Sequence, residues 1–97
     1  MIVIREVFRC KPGKANPLIE RFKAMNAVSE RRGLKTGRIL VDAVSTYWTV
    51  VTEFESESLT AFEAEMAAYG DDEEMGDAMA GYHDLVDGGH REVWRVV

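Results

Sequence analysis

The chain has 97 residues, 46% of them hydrophobic, with seventeen acidic against twelve basic side chains and a net charge of −5. Residues 1–97 make one domain's worth of chain with an ordinary apolar share. The acidic balance speaks against nucleic acid or an anionic membrane as partner, since both need concentrated Lys and Arg. The lone Cys10 rules out an intrachain disulfide, which points to a reducing cytoplasm. The opening MIVIREVF carries a charge at Arg5 and lacks an apolar h-region, so no signal peptide is expected. No run approaches the roughly 20 apolar residues of a membrane span.

Met1 to Cys10, dense in β-branched and aromatic residues, is predicted to be a strand. The KPGK stretch, Lys11 to Lys14, stops it with proline and glycine at the two central positions of a type II turn. Asn16 and Pro17 fit the cap and first position of a helix. Leu18, Phe22, Met25 and Ser29 lie along its inner face, and Gly33 fits a left-handed terminator. Arg38 to Val44 and Thr46 to Phe54 then read as a hairpin around Ser45. Ser58 caps a second helix with a stripe of Leu59, Phe62, Met66 and Tyr69. After Gly70, a third helical segment opens on Asp71 and buries Met75, Met79, Tyr82 and Val86. Gly88-Gly89 is predicted to end it, with HREVWRVV as the last strand.

Strand, helix, strand, strand, helix pair, strand is the ferredoxin-like βαββαβ pattern, an α+β fold with a four-stranded antiparallel sheet. Right-handed crossovers give the strand order 4-1-3-2. Two segments echo each other, REVFR at Arg5–Arg9 and REVWR at Arg91–Arg95, and this order makes them antiparallel neighbours. Helices cover one face of such a sheet. Alternation groups Ile4, Glu6 and Phe8 in the first strand, and Tyr47, Val51 and Glu53 in the third. Both sets are assigned to the helix-free face, which is then too apolar to stay wet and calls for a second copy in a two-fold dimer.

The stretches IREVFRCKPGK, YWTVVTEF running into ESLTAFEAEM, and GGHREVWRVV resemble the dimeric α+β barrel superfamily. Within it the resemblance is to NIPSNAP-like and antibiotic-biosynthesis-monooxygenase-like small bacterial proteins. It implies a homodimer whose sheets face each other and enclose cavities. In some relatives the cavity serves cofactor-independent oxygenation of aromatic substrates, and in others haem degradation. The haem-degrading branch carries an asparagine where this chain has Glu6, and it needs a tryptophan that the second helix lacks. Only His83 stands in roughly the right region, so no cofactor is implied.

The expected function is a homodimer that binds a small organic molecule, with cofactor-independent monooxygenase-like chemistry as the activity the resemblance offers. Glu6 and Glu53 are the candidate acid–base or anchoring groups, since partial burial raises a carboxylate toward a useful pKa. Their bland reading is ion pairing with Arg5, Arg9, Arg38, Arg91 or Arg95. Phe8, Tyr47, Trp48, Trp94 and His83 are the candidate ligand-binding residues, against packing roles for the aromatics. His83, Asp87 and His90 have no established metal spacing, and Asp71–Glu74 suits a helix dipole better than an ion. Met66, Met75 and Met79 follow helical spacing, and Cys10 lacks a histidine to activate it. The alternative is a non-catalytic structural or sequestering dimer with a filled interior.

Overall fold

A computed structural model describes all 97 residues. The order is β1 (Ile2–Cys10), α1 (Ala15–Arg31), β2 (Arg38–Val41), β3 (Thr49–Ser56), α2 (Leu59–Gly70), α3 (Glu73–Ala78), a 3-10 turn (Tyr82–Leu85) and β4 (Val86–Arg95). The sheet has four strands in the order β2-β3-β1-β4, every pair antiparallel. The fold is therefore the expected ferredoxin-like α+β arrangement. The echoing segments are neighbours: Arg5 faces Glu92, Glu6 faces Arg91 and Ile4 faces Val93. No helix is long and apolar enough to cross a membrane.

Local chemistry explains most boundaries. Gly13 takes φ +77° in the turn after β1, which the Lys14 amide closes on the Lys11 carbonyl at 2.9 Å. That turn delivers the chain into α1 directly. The helix starts at Ala15 with Lys14 at its cap and no side-chain cap, so Asn16 and Pro17 lie inside the first turn, where proline's missing amide costs nothing. Ser58 caps α2 through the Ala61 amide at 3.1 Å. Asp72, one residue beyond the expected Asp71, caps α3 through the Glu74 and Met75 amides.

Three further boundaries differ from the sequence reading. The β2–β3 connection spans residues 42–48, because Trp48 adopts φ 62°, a conformation that cannot continue a strand. The third helix ends at Ala78 rather than running to Val86, because Gly81 turns left-handed at φ +77°. Gly88 and Gly89 lie within β4 instead of ending a helix. Gly89 has a steric reason to be glycine, since a β-carbon there would stand 2.2 Å from the Val7 carbonyl oxygen.

The core lies between α1 and one face of the sheet, where Cys10, Ala15, Leu18, Phe22 and Val50 pack together. Facing partners in an antiparallel pair share a face. Glu6 faces Thr52, so Ile4, Glu6, Phe8, Val50, Thr52 and Phe54 all point toward the helices. Arg5 faces Glu53, so Val3, Arg5, Val7, Val51 and Glu53 occupy the helix-free side. The expected grouping of Ile4, Glu6 and Phe8 with Val51 and Glu53 is thus overturned. Leu59, expected in the α2 stripe, is 56% exposed, and Phe62 is the buried residue of that helix.

Candidate functional site

The register separates the two carboxylates that the sequence had placed together. Glu6 lies on the helix side and is ion-paired to Arg91 of β4. The Arg91 guanidinium also stands 4.9 Å from the Phe62 ring centre, a cation–π contact with α2. Glu53 lies on the helix-free side between Arg5, at 2.6 Å, and Arg38. Hydrogen bonds from Arg38 and Arg5 hold its carboxyl below the usual range. An ionised carboxylate fixed by two arginines is a poor proton carrier at neutral pH.

The aromatic candidates are scattered as well. Phe8 packs inward against Phe22, ring centres 5.1 Å apart, and edge-on to Tyr82 at 6.3 Å. Tyr47, 82% exposed, and Trp48 belong to the β2–β3 loop. Trp94 stands on the helix-free face and donates its indole N–H to Glu92 at 3.1 Å. His83 lies on the 3-10 turn, its ring 4.0 Å from that of Tyr82. These residues do not form one site.

A partly enclosed cavity instead sits between α1, α2 and the sheet, with a volume of about 140 Å³. Phe22 and Met25 line it from α1, Ile39 and Phe54 from the strands, and Met66 and Tyr69 from α2. Asn26, Ser29, Lys35 and Thr52 add polar atoms, and no carboxylate lines it. Lys35 and Gly37, from the connection between α1 and β2, complete its wall. The Lys35 carbonyl accepts the Tyr69 hydroxyl at 2.7 Å, and the Gly37 carbonyl accepts the Asn26 amide at 3.1 Å. The Lys35 ammonium reaches the Glu55 carbonyl at 3.2 Å and pairs with Glu65 at 3.6 Å. Burial pushes the Tyr69 hydroxyl above its ordinary value. Met66 and Tyr69 had registered in the sequence only as stripe residues, because helical spacing identifies an inner face without showing a void beneath it.

A second, open groove of about 380 Å³ lies on the helix-free face. Arg5, Arg9, Val51 and His90 line it, and Ser45 and Thr46 overhang it from the β2–β3 loop. His90 pairs with Glu92 at 2.9 Å. His90 and Trp94 together hold the Glu92 carboxyl below its usual range. No group of three or more His, Cys, Asp or Glu side chains is placed to hold a metal ion.

Fold comparison gives the class of this architecture. A NIPSNAP-like domain protein of Burkholderia xenovorans superposes with a TM-score of 0.84 at 14% identity, covering 99% of this chain and 84% of that one. A NIPSNAP family protein of unknown function from Agrobacterium tumefaciens gives 0.85 at 12% identity, covering 100% and 88%. The "putative antibiotic biosynthesis monooxygenase" of Nitrosomonas europaea gives 0.74 at 14% identity, covering 100% and 99%. The chain thus has the fold of the NIPSNAP-like and monooxygenase-like proteins it resembles. No protein-family model matches the sequence, and no curated protein does.

Proposed function

We propose that this chain is a cytoplasmic homodimer of the α+β barrel type that holds a small, ring-sized apolar molecule in the helix-side cavity of each protomer. The observation that carries this reading is the partly enclosed, carboxylate-free cavity of about 140 Å³. A dry apolar void near 150 Å³ suits a benzene-sized ring. Asn26, Ser29, Thr52 and Tyr69 would orient one polar substituent on that ring.

Dimerisation is supported by the helix-free face, where Val3, Val7, Leu40 and Val51 stand among charged residues without a covering layer. In this reading Glu6 and Glu53 are structural ion-pair members. Monooxygenase-like chemistry in the same cavity is the second reading. It draws on the fold shared with the Nitrosomonas protein and on the mostly apolar lining. Binding without acid–base catalysis is favoured over it, because both candidate carboxylates are held by arginine away from the cavity.

The test is a titration with phenol followed by backbone NMR. Phenol binding should shift resonances around Ile39, Phe54 and Tyr69, and Ile39→Phe, which fills the void, should abolish those shifts while the fold persists. Shifts confined to other regions, or none at millimolar phenol, overturn the assignment.

A further inference from the structure

The groove on the helix-free face contains a guanidinium that nothing in the chain neutralises. On this side of the sheet Arg5 and Arg38 are both paired to Glu53, and His90 is paired to Glu92. Arg9 has no ion-pair partner. It stands in a line with Thr49 of β3 and Gly88 of β4. Gly88 offers no side chain, and a β-carbon there would meet nothing within 4 Å, so the space beside Arg9 is open. Ser45 and Thr46 overhang the groove from the β2–β3 loop. Thr49 fixes that loop, donating its hydroxyl to the Thr46 carbonyl at 2.7 Å and its amide to the Asp42 carboxylate at 2.9 Å. The Ser45 and Thr46 hydroxyls make no hydrogen bond within the chain.

Donors therefore gather at one end of the groove, and Val7, Leu40 and Val51 floor its middle. The one carboxylate of the lining, Glu92, belongs to the far end. It faces Arg5, which stands four residues, about 13 Å, along β1 from Arg9. His90 at 2.9 Å and Trp94 at 3.1 Å already occupy its oxygens.

We propose that this groove binds a small monocarboxylate, with its carboxylate on Arg9 and its short hydrocarbon body on Val7, Leu40 and Val51. A planar guanidinium matches a carboxylate through two parallel N–H···O bonds. Ser45 and Thr46 supply further donors to the same oxygens. The floor is one position deep along the strand before the Arg5–Glu53 pair begins, so it suits a chain of a few carbons. The site lies within one protomer and is separate from the helix-side cavity. In the dimer proposed above it lies between facing sheets, where a guanidinium without a counter-charge is costly to bury. The bound carboxylate supplies that charge.

The probe is hexanoate, titrated into the full chain at about 0.15 M salt and neutral pH and followed by backbone NMR. Amides of Arg9, Thr46, Val51 and His90 should shift together. Hexanol, the same hydrocarbon without the charge, should bind at least about tenfold more weakly. Arg9→Gln should weaken hexanoate by a similar factor, and Arg9→Lys should recover part of the loss, since a point charge replaces the fork. Inorganic phosphate, which has no apolar body, should also bind more weakly than hexanoate.

An absence of shifts at these amides at millimolar hexanoate overturns the site. Equal binding of hexanol and hexanoate removes the role of Arg9, and that comparison stands even where Arg9→Gln does not fold. Phosphate as tight as hexanoate shows a bare anion site and overturns the hydrocarbon half of the proposal. Hexanoate shifts confined to Phe54, Met66 and Tyr69 place it in the helix-side cavity, which overturns the groove and leaves the phenol reading intact.

Discussion

Glu6 and Arg91, one from each of the two echoing segments, stand opposite each other on β1 and β4 and form an ion pair on the helix side of the sheet. Arg5 and Glu92, their neighbours in sequence, make the reciprocal juxtaposition on the other side. The repeated Arg-Glu-Val thus gives complementary charges on both faces of one strand pair. It is a pairing device rather than a duplicated catalytic motif.

Glu6→Gln should therefore act on stability. Glu6 is only partly exposed at 21%, and its loss leaves Arg91 without its carboxylate. The unfolding midpoint in urea should fall by the equivalent of about 1 kcal/mol, the upper end for partly exposed pairs. Phenol binding should be unchanged. A variant as stable as the parent that no longer binds phenol would return Glu6 to the site.

Gly89 and Gly88 give a sharper contrast. A β-carbon on Gly89 would meet the Val7 carbonyl oxygen at 2.2 Å, whereas one on Gly88 meets nothing within 4 Å. Gly89→Ala should cost roughly 1–3 kcal/mol through forced separation of β1 and β4. Gly88→Ala should stay within about 0.5 kcal/mol of the parent. Paired denaturant curves for the two variants measure the difference directly.

The faces of the sheet show where the sequence is legible and where it is not. Alternation within β1 groups Ile4 with Glu6 and Phe8 correctly, and alternation within β3 groups Val51 with Glu53. Neither pattern says which group of one strand accompanies which group of the other. That depends on register, and a slip of one residue inverts every assignment. The pairing Glu6–Thr52, in place of a shared face for Glu6 and Glu53, is such an inversion. Element order was readable because turn chemistry at Gly13, Ser58 and Gly33 is local. The cavity was not, since Asn26, Ile39 and Tyr69 converge on it from three separate elements.

Tyr69→Phe tests the wall of that cavity. The ring remains and the hydroxyl that holds the Lys35 carbonyl at 2.7 Å is deleted. Stability should drop by about 1 kcal/mol, the net value of one hydrogen bond. Amide hydrogen exchange across residues 33–37 should quicken more than exchange in α1 or β1. Uniform acceleration through the whole chain would show a global rather than a local effect.

Acid should weaken the ion pairs of the helix-free face. Glu53, held by Arg38 and Arg5, and Glu92, held by His90 and Trp94, both titrate below the ordinary carboxylate value of 4.5. A carboxyl with a depressed folded-state pKa binds fewer protons folded than unfolded. Its stabilisation is therefore complete above 4.5 and is lost as pH falls through the lower folded values. Urea midpoints should be level from neutrality down to that region and then decline. In Glu53→Gln the decline should be shallower, and an equal slope would remove Glu53 from its cause.

β1 is made before the other three strands of the sheet and is an inner strand of it, flanked by β3 and β4. One of its flanks is closed only by β4, where Arg91 stands 85 positions from its partner Glu6. Until β4 arrives, the hydrogen-bonding edge of β1 beside Ile4 and Phe8 is open to any extended strand nearby. Loop closure over such separations is slow compared with the growth of α1 next to it. The echo between the two segments therefore acts in time as well as in space. It lets β4 recognise β1, and seals an edge on which a half-made chain would otherwise be open to aggregation.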